Sequence, residues 1–189
     1  MPTGVALRDV REQLFDAADR ILLGSGPEAL TSRAVTDTAG CAKGVLHRHF
    51  TDFDAFLADY VLDRVHRLSA DDLLNAGSGT VTGNVAAFLT ALFGSVAVAI
   101  VALVTFRDGL RARLRDTWPA GVPVLTQGAV ALADYLEDER ARGRVAAGAD
   151  TTVLGAILIG TGHLLHADRT GSPPTPAELR RAVEAIIPA

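Results

Sequence analysis

The chain has 189 residues, a formal net charge of −4 and a hydrophobic fraction of 49%, with only 5% aromatic residues. This composition favours helices over sheets, and the length suffices for a small domain followed by a larger one. The negative charge excludes a polybasic coat, although a sequence-specific DNA-binding protein needs positive charge only where it meets phosphates. The single cysteine excludes an intrachain disulfide, and residues 1–10 lack the apolar stretch of a secretory signal, so a cytoplasmic protein is expected.

Apolar periodicity and breaker residues predict helices along the whole chain and no long strand. The first helix is followed closely by two short helices. The second helix has a hydroxyl residue at 31 or 32 as its cap. A charge-free segment in the middle is predicted to form one or two helices that break near Gly94. The predicted helices cover residues 7–23, 31–39, 43–49, 52–74, 81–116, 124–142, 151–166 and 177–187.

The second and third predicted helices have the features of a helix-turn-helix motif. They are joined by a turn of about three residues that contains Gly40, where the backbone needs a positive φ. Ala39 is small at the point where the two helices meet, and Val35 and Leu46 can pack across the angle between them. Phe50 would close this small core from below. The pattern therefore indicates a DNA-binding head, although a helical hairpin without DNA contact would show the same apolar spacing.

Residues 11–61 resemble the DNA-binding domain of TetR-type (TetR/AcrR) bacterial transcriptional regulators. The resemblance is carried by the sequence AVTDTAGCAKGVLHRHF from Ala34 to Phe50. It implies an all-α fold: an N-terminal three-helix helix-turn-helix domain over residues 1–50, followed by a helical ligand-binding and dimerisation domain over residues 51–189. It further implies a homodimer that regulates transcription, expected to be a repressor that an apolar small molecule releases from double-stranded operator DNA.

The resemblance makes residues 43–49 the recognition helix, and local positive charge supports DNA contact around it. The sequence also departs from the family. His47 stands where the family usually has Tyr, Ala42 and Val45 replace hydroxyl residues, and Phe53 replaces a frequent Lys. The changes at Ala42, Val45 and Phe53 each remove a phosphate contact, whereas His47 can still donate to a phosphate, with a charge that depends on pH. A lower non-specific affinity is therefore expected. The predicted DNA-contacting residues are Thr31, Ser32, Arg33, Ala42, Lys43, Gly44, Val45, His47 and Arg48.

The segment from Leu73 to Phe106 contains no charged residue and favours a site for an apolar ligand. Taken one by one, the residues of that site are better explained by core packing, and only the charge-free run as a whole favours the ligand. No cofactor is predicted. The candidate walls are Phe88, Phe93, Leu103, Phe106 and Trp118, with Tyr135 as wall and polar group, and the candidate polar contacts are His66, Thr105 and Gln127.

The last two predicted helices carry apolar stripes that indicate a two-fold dimer interface formed by four helices. Gly155, Gly160 and Gly162 would permit close approach to the partner. The alternative is that the stripes face the chain's own core. The predicted interface residues are Val153, Leu154, Ile157, Leu158, Thr161, Leu165, Leu179, Val183 and Ile186.

Other classes of function have less support in the sequence. No nucleophile elbow, phosphate-binding loop or clear acid pair occurs, so an enzyme is not predicted. His163 and His166 could face one metal ion, but no further ligand lies at matching spacing, and no metal site is predicted. Residues 85–106 are apolar enough to span a bilayer, yet buried helices of a water-soluble domain look the same, and no membrane contact is predicted. The remaining alternative is a helical interaction protein without DNA or ligand.

Overall fold

The computed structural model describes residues 4–67, 73–167 and 172–187. Within these ranges the chain forms ten α-helices and a one-turn 3-10 helix over Pro27–Ala29, and no strand, so the all-α prediction is confirmed. The helices are α1 (Gly4–Ser25), α2 (Ser32–Thr38), α3 (Gly44–His49), α4 (Phe53–His66), α5 (Val81–Phe93), α6 (Ala97–Phe106), α7 (Asp108–Leu114), α8 (Leu125–Ala141), α9 (Thr151–Ala167) and α10 (Pro176–Ile186).

Two helix boundaries differ from the sequence prediction by more than three residues. The expected helix to residue 116 breaks at Arg107, whose backbone is extended, with φ −118° and ψ 96°. The Nε of Arg107 donates a 2.6 Å hydrogen bond to Oδ1 of Asp54 on α4, and this long-range bond leaves no trace in local periodicity. The fourth helix ends at His66, and residues 73–75 are not helical, so the predicted end near residue 74 is wrong; residues 68–72 lie outside the described ranges.

The chain divides into two compact units, and the division differs from the predicted boundary at residue 50. Unit 1 comprises the described residues up to Arg64 together with Ala99–Ala120. Unit 2 comprises the described residues of Val65–Val98 and those from Gly121 onward. Most of α4 belongs with the N-terminal helices because its aromatic residues pack on α1: the rings of Phe56 and Phe15 lie 5.6 Å apart.

Unit 1 has a core of aliphatic residues from α1 and aromatic residues from α1, α4 and the end of α3. Leu14 and Leu22 of α1 are fully buried. Phe50 and Phe56 meet edge to face with their centroids 5.1 Å apart, a geometry that aromatic pairs prefer. This core fixes α3 and α4 against α1.

Unit 2 is built on close contact between α8 and α9, with α5 and α10 packed beside them. A Cβ atom on Gly155 would lie 2.5 Å from the carbonyl oxygen of Ala129, so α9 approaches α8 more closely than any larger residue allows. A Cβ on Gly162 would lie 2.7 Å from the ring of Phe93 on α5. Both glycines therefore serve packing within the protomer rather than approach to a partner, whereas Gly160 faces open space.

The apolar segment in the middle of the chain does not form one long helix. None of the described helices is by itself long and apolar enough to cross a bilayer. The pair α5 and α6 reaches that length and composition only jointly, and the two helices are bent by 58° at their break.

Candidate nucleic-acid interface

The second helix is held at its start by a side-chain cap. The Oγ1 atom of Thr31 accepts a hydrogen bond from the backbone N–H of Ala34 at 3.1 Å, as predicted from the hydroxyl residue at this position. Thr36 is buried, and its hydroxyl donates to the carbonyl oxygen of Arg33 at 3.0 Å. Val35 is fully buried, so one face of α2 lies against the core and the opposite face is free for contact.

The turn between α2 and α3 depends on Gly40. Its φ is +68°, and the N–H of Cys41 donates to the carbonyl of Thr36 at 2.9 Å while the N–H of Gly40 donates to that of Asp37 at 3.2 Å. These two bonds define a Schellman motif, which places a left-handed residue just after the helix and satisfies its last carbonyls. The chain is thereby redirected into α3 within a few residues.

The third helix is anchored by its apolar side and presents its polar side outward. Leu46 is fully buried, and Phe50 at its end is 5% exposed. Lys43, at the helix cap, and Arg48, in the last turn, are exposed. Gly44 is exposed as well, and nothing lies within 4 Å of the place where a Cβ would stand, so another molecule can approach the backbone there.

The two helices enclose an open concavity of about 440 Å³ on this outer side. It brings together five of the nine predicted DNA-contacting residues. A sixth lining residue, Thr36, was not predicted; it lies one helical turn after Ser32 on the same face, which is the signal that could have found it. The lining residues are Ser32, Arg33, Thr36, Lys43, Gly44 and His47.

The remaining predicted contacts lie beside the concavity rather than in it. Thr31, Ala42 and Arg48 are exposed, and Val45 is half-buried. Thr31 already uses its hydroxyl oxygen as the helix cap. The structure does not gather these four residues into the concavity.

Positive charge outweighs negative charge on this surface. Between residues 31 and 50 the cations are Arg33, Lys43 and Arg48, and the only anion is Asp37. Asp37 lies 3.5 Å from the Nε of Arg33, a distant pair between side chains that are 58% and 76% exposed. Neither Lys43 nor Arg48 forms an ion pair within the described part of the chain. Two cations therefore remain available to phosphate groups.

Aromatic rings and two guanidinium groups pack together where α3 meets α4. The guanidinium of Arg11 lies 5.0 Å above the ring of Phe50 and pairs with Asp59 at 2.8 Å. Phe53 stands at the position where TetR-type proteins often have Lys. Its ring stacks on Phe56 with centroids 5.6 Å apart. The guanidinium of Arg107 lies over the ring of Phe53, 5.1 Å from its centroid. Phe53 thus has a packing role in this chain.

The predicted ligand residues of unit 2 include three that are buried. Phe88, Phe93 and Tyr135 are 5%, 3% and 3% exposed. The hydroxyl of Tyr135 accepts a 3.0 Å hydrogen bond from the Asn84 amide. Gln127 is half-buried and accepts a bond from the backbone N–H of the residue three before it, while His66 is exposed.

The predicted ligand residues of unit 1 lie at α6 and in the loop after α7. Leu103 is buried at 4% exposure, and Trp118 is half-buried. The hydroxyl of Thr105 donates to the carbonyl of Val101 at 2.7 Å, which satisfies it within its own helix. Phe106 is 87% exposed, so its ring contributes no wall within unit 1.

The predicted dimer residues separate into an exposed set and a buried set. Val153, Ile157 and Leu165 on α9 are 50%, 45% and 38% exposed, and Leu154 and Thr161 are half-buried. Leu164, which was not predicted, is 75% exposed and extends this apolar face of α9.

The buried set corrects the prediction for α10 and for Leu158 of α9. Leu158, Leu179 and Val183 are 0%, 0% and 1% exposed inside the protomer, so they have no surface to give a partner. The stripe of α10 faces α5, which the apolar period alone could not distinguish from a partner chain. Ile186 is half-buried at the end of the same helix.

The two histidines that could have faced a metal pack against an aromatic ring instead. The rings of His163 and His166 lie 5.9 Å and 5.5 Å from that of Phe93. The Nδ1 of His166 is 2.8 Å from the carbonyl oxygen of Gly162. Across the described residues no group of three or more potential ligands is close enough to hold a metal ion.

Neither a family model nor a curated protein sequence matches the chain. Solved structures match its fold over nearly its whole length. Escherichia coli NemR in its reduced form is 19% identical, with 96% of this chain and 100% of that chain covered and a TM-score of 0.72. A protein from Rhodococcus sp. assigned to the TetR family of transcriptional regulators is 16% identical, with 94% and 96% covered and a TM-score of 0.71. FadR from Bacillus subtilis, solved in complex with stearoyl-CoA, is 17% identical, with 93% and 94% covered and a TM-score of 0.63.

Proposed function

We propose that this chain, which has the fold of TetR-family transcriptional regulators, is itself a ligand-responsive regulator of transcription. Two copies form a homodimer, and each binds double-stranded operator DNA through α2, the Gly40 turn and α3. The observation that carries the proposal is the concavity between α2 and α3, because its lining includes Arg33 and Lys43 and leaves the backbone at Gly44 accessible. Positive side chains and approachable backbone are what phosphate contact requires.

The direct test is fluorescence anisotropy with a labelled duplex from the DNA upstream of the chain's own gene, beside a scrambled duplex, at several salt concentrations. We expect salt-sensitive binding with preference for the native sequence. Lys43→Ala should lower the slope of log K against log salt by about 0.9 for each protomer on the DNA. Arg180→Ala, an exposed cation on α10, is the matched control and should leave the slope unchanged. Equal and weak binding to both duplexes would contradict the proposal.

The second part of the proposal is an apolar effector that releases the repressor from DNA. It is supported by the charge-free segment 73–106 and by the buried aromatic residues Phe88, Phe93 and Tyr135 of unit 2. FadR from Bacillus subtilis, a protein of the same fold, was solved in complex with stearoyl-CoA, and this supports a ligand with a long apolar chain. An effector acts only through its different affinity for the DNA-bound and free conformations. A thermal-shift screen with straight-chain fatty acids and neutral aromatic compounds, followed by anisotropy with each hit, measures both quantities.

A helical interaction protein without DNA or ligand is the second candidate, and the exposed apolar face of α9 would serve it equally well. The two candidates differ in their response to the same experiments. An interaction protein would show neither a preference for the native duplex nor a thermal shift with lipophilic compounds. Either positive response would favour the regulator.

A further inference from the structure

The two histidines of α3 lie in different surroundings. His47 is exposed and lines the concavity between α2 and α3, together with Lys43 and Arg33. His49 is half-buried and outside the concavity, with its ring 6.5 Å from that of Phe50. An imidazole beside two permanent cations, on an open surface, is placed to contact whatever anion those cations bind.

The charged groups around His47 determine which kind of ion the concavity attracts. From α2 it is faced by Arg33, with Asp37 paired to the same guanidinium at 3.5 Å. The turn contributes Lys43, and Arg48 and His49 follow on α3 itself. The lining of the concavity thus contains two cations and no carboxylate. A phosphate group that enters the concavity would therefore meet the imidazole of His47 together with both cations.

We propose that His47 is a phosphate contact that depends on protonation, so that the affinity of this chain for DNA rises as the pH falls through the range in which histidine titrates. The inference rests on the proposed function and adds a regulatory property to the same surface. Histidine is the side chain whose ordinary titration lies between pH 5 and pH 8. The binding of DNA takes up a proton at each His47, and by linkage the proton strengthens the binding of DNA.

The salt dependence distinguishes a charged contact from a neutral one. A protonated imidazole donates a charge-assisted N–H bond to a phosphate oxygen and displaces one condensed cation from the DNA. A neutral imidazole can donate the same N–H but displaces none. Protonation therefore changes the slope of log K against log salt by about 0.9 for each protomer on the DNA.

The experiment measures Kd by anisotropy across a salt series at about pH 6 and about pH 8, on either side of the histidine titration. The duplexes are the upstream DNA and its scrambled counterpart, because phosphate contacts act on both.

For the unaltered chain we expect a steeper slope of log K against log salt at the lower pH and, at low salt, a Kd about tenfold lower. His47→Lys should give the steep slope at both pH values, and His47→Gln the shallow slope at both. His49→Gln is the matched control and should keep the full pH dependence.

Two results would overturn the inference: equal slopes at both pH values for the unaltered chain, or pH dependence that survives in His47→Gln and disappears in His49→Gln. The proposed function fails in a different way, by equal affinity for the native and scrambled duplexes at every pH and in every variant. His47 is exposed, so its variants are expected to fold, and circular dichroism spectra at both pH values verify this.

Discussion

The Nη2 atom of Arg64 lies 2.9 Å from Oδ2 of Asp19, an ion pair that joins the last turn of α4 to α1. Nη2 also lies 3.1 Å from Oδ1 of Asp16, and Nη1 lies 2.6 Å from Oδ2 of Asp63. The hydroxyl of Tyr60 donates to Oδ1 of Asp19 at 2.5 Å. The side chain of Arg64 is only 9% exposed, so these partners rather than water compensate its charge. This network holds α1 in place behind the candidate DNA-binding surface.

Replacing Arg64 with Met should lower the free energy of unfolding by about 2–3 kcal/mol, because three carboxylates then face a nearly buried apolar side chain. This expected loss of unfolding free energy is smaller than for a fully buried ion pair because Asp16 is 59% exposed. Urea denaturation followed by circular dichroism measures the change. Arg33→Ala is the control, since its ion pair is exposed and should contribute less than about 0.5 kcal/mol. A loss below about 1 kcal/mol for Arg64→Met would show that the network does not stabilise the fold.

The two tyrosines of the chain predict a loss of stability at high pH. Burial, followed by the hydrogen bond to Asp19, raises the pKa of Tyr60, and burial with the Glu139 hydrogen bond raises the pKa of Tyr135 to about 12. Between about pH 10 and pH 12 the unfolded chain therefore loses protons that the folded chain keeps. The free energy of unfolding should be unaffected by these groups below about pH 10 and fall above it by about 1.4 kcal/mol per pH unit for each tyrosine.

The measurement is tyrosinate absorbance during a pH titration of the folded chain, beside the same titration in guanidinium chloride. The denatured chain should ionise near the ordinary value of about 10, and the folded chain only at higher pH or on unfolding. Coincident midpoints in the two titrations would contradict the burial of both hydroxyl groups. The Tyr135→Phe variant then assigns the remaining transition to Tyr60.

Local signals in the sequence were enough to predict the helix-turn-helix. A hydroxyl cap at Thr31 and a positive φ at Gly40 act within a few residues, and both occur in the structure as expected. The concavity also follows from short-range geometry, because all its lining residues lie between positions 32 and 47. The predicted recognition residues Ser32, Arg33, Lys43, Gly44 and His47 could therefore be placed without knowledge of the rest of the fold.

Long-range packing accounts for what the sequence could not predict. The break at Arg107 depends on Asp54, a residue 53 positions away. The apolar stripe of α10 has the same period whether it meets a partner or the chain's own α5, and only the packing of unit 2 places Leu179 and Val183 in the core. Glycines on α9 pose the same ambiguity, since close approach to another helix and close approach to another chain need the same residue.

Gly155 and Gly162 should respond differently to alanine, because their neighbours differ in freedom to move. The new Cβ at 155 meets the backbone carbonyl of Ala129 at 2.5 Å, and backbone can shift only if α8 and α9 separate. The new Cβ at 162 meets the side chains of Phe93 and Leu89 at 2.7 Å and 3.0 Å, which can rotate. We expect Gly155→Ala to destabilise by about 2–3 kcal/mol and Gly162→Ala by about 1 kcal/mol.

Thermal denaturation of the two variants tests this order, with Gly24→Ala as the control. Nothing lies within 4 Å of a Cβ at Gly24, which is in the last turns of α1. Alanine there should raise stability by up to about 0.5–1 kcal/mol through helix propensity. Equal losses at positions 155 and 162 would mean that α9 shifts as a unit and that the backbone contact has no special role.

The exposed face of α9 predicts where two copies of the chain meet in the proposed homodimer. Leu164 is 75% exposed beside Ile157 at 45%, and the helix contains no Asp, Glu, Lys or Arg. An uncharged apolar face of this kind is typical of an interface between copies of a chain. Leu164→Glu should therefore give a monomer in size-exclusion chromatography with light scattering, because a carboxylate would be buried twice across the two-fold axis. Ala177→Glu, at an exposed position of α10, should leave the dimer intact.

The monomer should also bind DNA with about half the salt slope, since one head contacts half the phosphates. A dimer that persists in Leu164→Glu would place the interface elsewhere, and unchanged DNA binding by a proven monomer would separate dimerisation from DNA recognition.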